Sequence, residues 1–465
     1  MFSPEIYINR RNALRREVKS GVILLPGNAE ASMNYPDNTY AFRQDSNFSY
    51  FFGLDHPDLA GIIDIDNGVD YIFGNDVDID DIIWMGPQPT ISERALKAGV
   101  KNTAPLSDLG EFMTNVIRRK RPIHFVPCYR GETQLQLSSL LGIKPCRVKD
   151  YTSMELIHGI VKLRSVKDDL EIVEMEKAVD IAYLMFVAGM KMAFPGRKEQ
   201  EITGVMEGIS VSHGRPVSFP IILSINGQTL HNHKHENYLE TGRMMVMDAG
   251  SETSLLYASD ITRTVPVGGK FNQRQRDIYE VVLNSHLKSI SVTKPGTFYY
   301  DCHMKAAETM ASGLKNLGLM RGNVQDAVAA GAHALFFPHG LGHMLGMDVH
   351  DMEGLGQIYV GYDSEIQPSS QFGTSSLRMG RRLQPGFVVT NEPGIYFIPE
   401  LIDQWKAANK FTEFINYDKV DEYRDFGGIR IEDDILVTKD GCRILGKPIP
   451  KTVAEVEETM KEGLS

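Results

Sequence analysis

The sequence predicts an α/β chain built as two domains, and three observations carry that expectation. A length of 465 residues exceeds one ordinary core, at roughly 150 residues per domain. The first third of the chain alternates short apolar runs with amphipathic stretches, as an α/β domain does. From Ser165 a long helical periodicity begins, and after it come apolar, strand-like runs with acidic residues set inside them. The boundary is placed near 160–166. This gives an amino-terminal α/β domain over residues 1–162 and a carboxy-terminal α/β (α+β) domain over 163–465.

In the first domain, Ile6, Ile8, Leu14 and Val18 keep helical spacing among basic residues and predict an amphipathic helix over 5–20. Residues 21–27 (GVILLPG) form a short apolar run closed by Pro-Gly, which predicts a buried strand. Residues 42–54 (FRQDSNFSYFFGL) read as a core strand with its loop. Strand-like runs follow at 60–65 (AGIIDI), 70–74 (DYIFG) and 80–85 (DDIIWM). A helix near 106–119, a strand at 122–127 and a helix over 132–141 complete the domain.

The second domain opens on RSVKDDLEIVEMEKAVDIAYLM. Ser165 and Asp168 have the spacing of a capping box, and Ile172, Met175, Ala178, Ile181, Ala182 and Met185 keep one helical face after it. Further helices are predicted over 198–213 and 273–292. An internal duplication shows in two pairs of segments. VMDAG (246–250) and TNEPG (390–394) each follow an apolar run, and ASDITRTVPV (258–267) and GIRIEDDILV (428–437) each carry acid inside a β-rich run. Residues 354–384 have no periodicity and are rich in Gly, Ser and polar groups, so they predict a long loop.

Composition narrows the function. Apolar content of 42% and charged content of 23% are those of a globular protein. A net charge of −11 argues against a nucleic-acid surface. Cys128, Cys146, Cys302 and Cys442 are scattered with no C-x-x-C pair, which points to free thiols and a reducing compartment. The first residues lack the apolar core of a secretory signal, and no apolar run is long enough to span a membrane. A cytoplasmic location is therefore expected.

The chemistry gathers around residues 337–351, FPHGLGHMLGMDVHD. His339, His343 and His350 fall among glycines and small apolar residues, a composition that bends backbone and aims imidazoles into one space. Asp248 and Asp260 lie upstream and Glu392 and Glu432 downstream, each in an apolar run where a buried charge needs a partner or a metal. Together they read as a metal cage of four carboxylates and one imidazole. Two divalent cations would offset the carboxylate charge, and a donor set rich in oxygen suits Mn²⁺ first, with Co²⁺ or Zn²⁺ as alternatives. Such a pair can lower the pKa of a bridging water and polarise a carbonyl.

At these residues the sequence resembles the pita-bread metallopeptidases. VMDAG, ASDITRTVPVGGKF, HGLGHMLGMDVHD, NEPGIYF and GIRIEDDILVT follow that family's motif set in order, and FRQDSNFSYFFGLDHP is similar to the amino-terminal domain of its proline-specific members. Those members are Xaa-Pro dipeptidase and Xaa-Pro aminopeptidase. The resemblance implies a pita-bread fold for the second domain. It implies that Asp248 binds one metal, that Asp260 and Glu432 bridge both, and that His343 and Glu392 bind the other. Glu392 would orient the attacking water and shuttle its proton. His339 and His350 would stabilise the tetrahedral intermediate, His231 would face the substrate, and Arg430 would sit beside the bridging glutamate. Asp348 and Asp351 read as structural. Arg378 matches the arginine with which dipeptidases hold the substrate carboxylate, a pairing that suits a guanidinium fork. A solvated basic run with Arg381 and Arg382 would have the same composition. Small peptides with proline second are the implied substrates, with dipeptides favoured, an aminopeptidase specificity as the alternative and an inactive binding protein as the distant one. No nucleic acid or membrane partner is expected, and the resemblance implies a homodimer or higher homo-oligomer.

Overall fold

The structure, a computed structural model, describes residues 1–463. The chain divides into two compact units. One holds Met1–Arg164 with Met352–Tyr359, and the other holds Ser165–Asp351 with the chain from Val360 onward. No helix among the described residues is long and apolar enough to cross a membrane.

The first unit is organised on a five-stranded mixed sheet. Its strands are β1 (Val22–Pro26), β2 (Ala60–Asp64), β3 (Val69–Phe73), β4 (Asn102–Ala104) and β5 (Ile123–His124), in the order β4-β3-β2-β1-β5. Val22 and Leu24 from β1, Ile62 from β2 and Phe73 from β3 meet Leu109, Met113 and Val116 of the helix Leu109–Arg118 in one apolar core. Arg11, from the helix Pro4–Val18, is fully buried. It pairs with Asp70 at 2.8 Å and donates to the carbonyls of Phe51 and Ala98, so one guanidinium ties three segments together.

Local chemistry overrides two strand expectations here. Residues 80–85 lie in a helix, Ile79–Met85, because Asp78 caps it and Asp81 closes a capping box. Within 42–54 the aromatics sit on a helix, Ser46–Phe52, capped by Asp45 and ended by Gly53 at φ 66°. Both are short apolar runs, for which periodicity alone does not separate helix from strand. The strand expected at 122–127 pairs only at Ile123 and His124.

In the second unit the helix Asp169–Met192 is capped by Asp168 and Glu171, three residues later than the expected Ser165–Asp168 pairing. Ser165 instead ends a preceding helix, Met154–Ser165, which the sequence reading had not assigned. Helices Glu199–His213 and Gln273–Val292 follow as expected, and Tyr299–Asn316 is a further helix.

The strands that build the second unit are β6 (Ile222–Ser224), β7 (Met244–Ala249), β8 (Ile261–Pro266), β9 (Val388–Asn391), β10 (Gly394–Tyr396), β11 (Gly428–Arg430), β12 (Asp433–Val437) and β13 (Cys442–Ile444). They form three small sheets, β6-β7-β8, β13-β12-β9 and β10-β11. The same device occurs twice. β7 and β8 pair antiparallel with Asp248 opposite Thr262, and β9 and β12 pair antiparallel with Asn391 opposite Asp433. A bridge between Thr262 and Glu432 joins the two devices. Residues 354–384 contain only single turns of helix, such as Gln357–Gly361 and Thr374–Ser376, and are otherwise irregular.

Candidate metal centre

Each acidic side chain sits where a strand begins or ends. Asp248 lies near the end of β7, Asp260 directly precedes β8, Glu392 directly follows β9 and Glu432 directly precedes β12. Side chains alternate faces along a strand. Because Asn391 opposes Asp433, Glu392 and Glu432 are the next step of the same ladder and present the opposite face.

His343 is pinned by backbone on both sides. Its amide donates to Thr390 Oγ1 at 3.2 Å, its carbonyl accepts from the Thr390 amide at 3.0 Å, and the Glu392 amide donates to Leu341 at 2.8 Å. This close approach explains Gly342, where a Cβ would stand 2.1 Å from the Thr390 carbonyl oxygen. The ring Nδ1 donates to the Met344 carbonyl at 3.0 Å, which leaves the Nε2 lone pair facing Asp260 Oδ2 at 3.4 Å and Glu392 Oε1 at 3.9 Å.

Asp260, His343 and Glu432 are all buried, and each offers one ligand atom within 4.8 Å of the others. Asp248 Oδ2 accepts from Arg430 Nη2 at 2.5 Å, while its buried Oδ1 has no hydrogen-bond partner among the described residues. Burial raises the carboxyls of Asp260 and Glu432 well above their ordinary values. The neighbouring Asp248 raises Asp260 further, and Asp260, Glu392 and Asp248 do the same to Glu432. Burial likewise pushes Glu392 up to about 7. A cluster of buried carboxylates that repel one another, with an orphaned oxygen and an available imidazole lone pair, is a donor set that fits divalent cations.

Arg430 organises the adjoining wall. Its Nε donates to Thr262 Oγ1 at 3.1 Å and its Nη1 to the Tyr396 hydroxyl at 2.9 Å, while Thr262 Oγ1 in turn donates to Glu432 Oε2 at 2.7 Å. The Tyr396 hydroxyl lies 2.9 Å from His339 Nε2, and His339 Nδ1 lies 2.8 Å from the Gly340 carbonyl. A carbonyl only accepts, so Nδ1 carries the proton and Tyr396 donates to Nε2. Burial, reinforced by Arg430, holds that imidazole neutral, with its pKa lowered to about 3. Both nitrogens of His339 are thus engaged within the wall, while the ring still lines the cavity. Thr262 and Tyr396 were not singled out from the sequence, because their roles depend on partners 170 and 57 residues away.

A cavity of about 710 Å³ opens onto this cluster. Asp248, Asp260, His343, Glu392 and Glu432 line it together with His231, His339, His350, Arg378 and Arg430. All ten residues expected from the sequence therefore share one space. His350 stands edge-on to His343, with ring centroids 4.3 Å apart. Arg378 is set by a backbone contact so close that a Cβ on Gly361 would come within 1.8 Å of its carbonyl oxygen. Asp351 points away from this chemistry and forms a buried ion pair with Lys167 at 3.1 Å. The remaining lining includes the apolar side chains of Phe219, Ile222, Leu230 and Val349.

Comparison with known proteins matches residues 173–439 to metallopeptidase family M24 and residues 7–124 to the aminopeptidase P amino-terminal domain. The chain belongs to metallopeptidase family M24. It is 31% identical to a probable Xaa-Pro aminopeptidase of Coccidioides posadasii, over 96% of this chain and 93% of that one. It is equally 31% identical to the Xaa-Pro dipeptidase of Homo sapiens, over 94% of this chain and 88% of the human one. Among solved structures, aminopeptidase P of Escherichia coli in its low-pH form matches all of both chains with a TM-score of 0.82 at 28% identity. The second unit accordingly has the pita-bread fold of M24 peptidases. Another of these structures is a zinc-substituted E. coli aminopeptidase P with product. An M24 chain whose acidic cluster can hold a metal ion is a metallopeptidase in both family and site chemistry.

Proposed function

We propose that this chain is a dinuclear-metal peptidase that hydrolyses the bond before proline, with Xaa-Pro dipeptides as its preferred substrates. The observation that carries the reading is the convergence of Asp248, Asp260, His343, Glu392 and Glu432 on one cavity floor. Mn²⁺ is the ion that donor set favours, four carboxylates and one imidazole being hard ligands. Two bound cations supply a water of lowered pKa and polarise the scissile carbonyl.

The chain's own groups do the rest. Asp260 and Glu432 would serve as the ligands shared by both ions, while Asp248 is oriented by Arg430. Glu392, the most open of the acids with its side chain 20% exposed, is placed to hold and pass a proton. His231, His339 and His350 face the substrate, and His339 also supports the Tyr396 hydroxyl that accepts from Arg430. The apolar side chains of Phe219 and Ile222 suit a pyrrolidine ring. Arg378, on the rim of the same cavity, suits a carboxylate at the end of a dipeptide.

Aminopeptidase action on longer peptides is the second reading, favoured by the name of the fungal relative. We further read the chain as a cytoplasmic homo-oligomer. Its cysteines are free thiols, and Ile79, Ile83 and Trp84 are exposed on one short helix. Light scattering checks the assembly.

The deciding experiment compares hydrolysis of Gly-Pro with that of Gly-Pro-Pro in Mn²⁺, for the parent and for Arg378→Ala. Preference for the dipeptide, lost through a raised KM in Arg378→Ala, supports the clamp. Efficient cleavage of the longer peptide, unchanged in the variant, establishes the aminopeptidase instead. Absence of cleavage of both would return the chain to a binding role.

A further inference from the structure

Behind the face that carries Glu392 and Glu432 lies a second, wholly buried polar cluster. Asn391 and Asp433 oppose each other across β9 and β12 and present the back of that ladder. His286, fully buried on the helix Gln273–Val292, bridges them. Its Nε2 lies 2.8 Å from Asp433 Oδ2, and its Nδ1 lies 2.8 Å from Asn391 Nδ2. The Asp433 carboxylate accepts from Nε2, while the Asn391 side-chain amide and the Asn391 carbonyl, 3.1 Å away, both face Nδ1, so the ring uses both nitrogens. Ser289, one turn along the helix, donates to Asn391 Oδ1 at 2.8 Å and fixes which way the amide faces. Arg263 Nη2 holds the other oxygen of Asp433 at 2.6 Å, and Lys451 also pairs with that carboxylate.

This arrangement has a mechanical consequence. Glu392 and Glu432 are the step beyond Asn391 and Asp433, and the same register resumes past them, with the Ile431 amide donating to the Pro393 carbonyl at 3.4 Å and Gly394 opposite Arg430. The two glutamates make no backbone hydrogen bond to each other, because their amides donate to Leu341 and Thr262 instead. The side-chain bridge Asn391–His286–Asp433 braces the adjoining rung from behind. We propose that His286 is a positioning residue for the metal centre, clamping the last rung of the β9–β12 ladder so that Glu392 and Glu432 stand at the separation that metal ions require. The inference rests on the metal-centre reading above. A bridge of this kind acts through the ligands' backbone, and supports behind ligating groups change metal affinity by roughly 10- to 100-fold.

The test uses the full chain, stripped of metal, with Mn²⁺ titrated calorimetrically. His286→Leu removes both hydrogen bonds at similar volume, and a Mn²⁺ affinity weakened at least tenfold is expected, with the circular dichroism of the parent retained. His286→Gln keeps one donor for Asp433 and one acceptor for Asn391, and should recover most of the affinity. Should His286→Leu fail to fold, Asn391→Leu decides, because it severs the same bridge while His286 still holds Asp433. Parent-like affinity in a folded His286→Leu, or in Asn391→Leu where the first does not fold, would overturn the clamp. Asp260→Asn serves as the reference for the centre itself. If the parent takes up no Mn²⁺, the metal-centre reading fails. If the parent binds, Asp260→Asn does not, and the clamp variants match the parent, the clamp alone fails.

Discussion

Glu432 and Asp433 are neighbours in the chain, equally buried, and opposite in electrostatics. The carboxyl of Glu432 is pushed well above its ordinary value, by burial first and then by Asp260, Glu392 and Asp248. Asp433 suffers the same burial, yet Arg263, His286 and Lys451 hold its carboxyl well below the ordinary range. Strand alternation separates them by a sheet's thickness, and each face has been given different company. The back face is electrostatically complete. The front face holds more buried acids than Arg430 alone can balance, and it opens on a cavity. Burial alone therefore does not mark a functional acid; burial without compensation does.

The comparison can be broken most severely at the back face. Asp433→Ala leaves Arg263 and Lys451 with a buried, unpaired charge. A loss of about 3–5 kcal/mol is expected in urea unfolding of the metal-free chain. A loss under 1 kcal/mol would mean that the back cluster is not the structural counterpart described.

A third kind of buried polar group sharpens the contrast. His303 is buried with no hydrogen-bond partner for either ring nitrogen among the described residues, and His333 is buried with only the Val328 backbone to support its charged form; desolvation lowers their pKa values to about 3 and about 4. Below pH 6.5 the unfolded chain gains a proton at each site that the folded chain refuses, so stability falls as pH drops from 6.5 toward the folded value. His333→Leu should remove about 1.4 kcal/mol per pH unit of that acid sensitivity across the interval from 6.5 to about 4, read as the difference from the parent. Parallel stability curves would show that this imidazole gains a partner in solution.

On the front face the sign reverses. Glu432 titrates higher in the folded chain, so in the metal-free protein it costs stability once pH exceeds its unfolded value. Glu432→Gln should therefore stabilise the metal-free chain at pH 7, on the order of 1–2 kcal/mol, while abolishing its gain in thermal stability from Mn²⁺. Destabilisation instead would place Glu432 with Asp433 among structural acids. The smallest effect belongs to the hydroxyl that joins Glu432 to Arg430. Thr262→Val should cost about 1 kcal/mol in the same unfolding assay, and a cost above about 3 kcal/mol would show that Thr262 does more than link them.

Much of the site was legible because its acids and histidines stand in apolar or glycine-rich runs, where such residues are conspicuous. Helices with clear caps and periodicity, such as Gln273–Val292, were legible for the same local reason. The helix Tyr299–Asn316 was not, since Phe298 offers no side-chain cap and only a Pro-Gly turn precedes it. The run at 80–85 misled because six residues do not distinguish periods, although Asp78 and Asp81 held the capping signal. Tyr396, Thr262, Asn391 and His286 could not be read at all. Each is an ordinary polar residue until the register of β9 on β12, of β10 on β11, or of β8 beside Glu432 brings its partner alongside.

The front face, as proposed, is a two-metal catalytic floor. Its most direct test titrates Mn²⁺ into the metal-stripped chain while following Gly-Pro hydrolysis. No turnover is expected without metal, with a rate that saturates at two ions per chain and no response in Asp260→Asn. Undiminished hydrolysis in excess chelator, or full activity in Asp260→Asn, would contradict it.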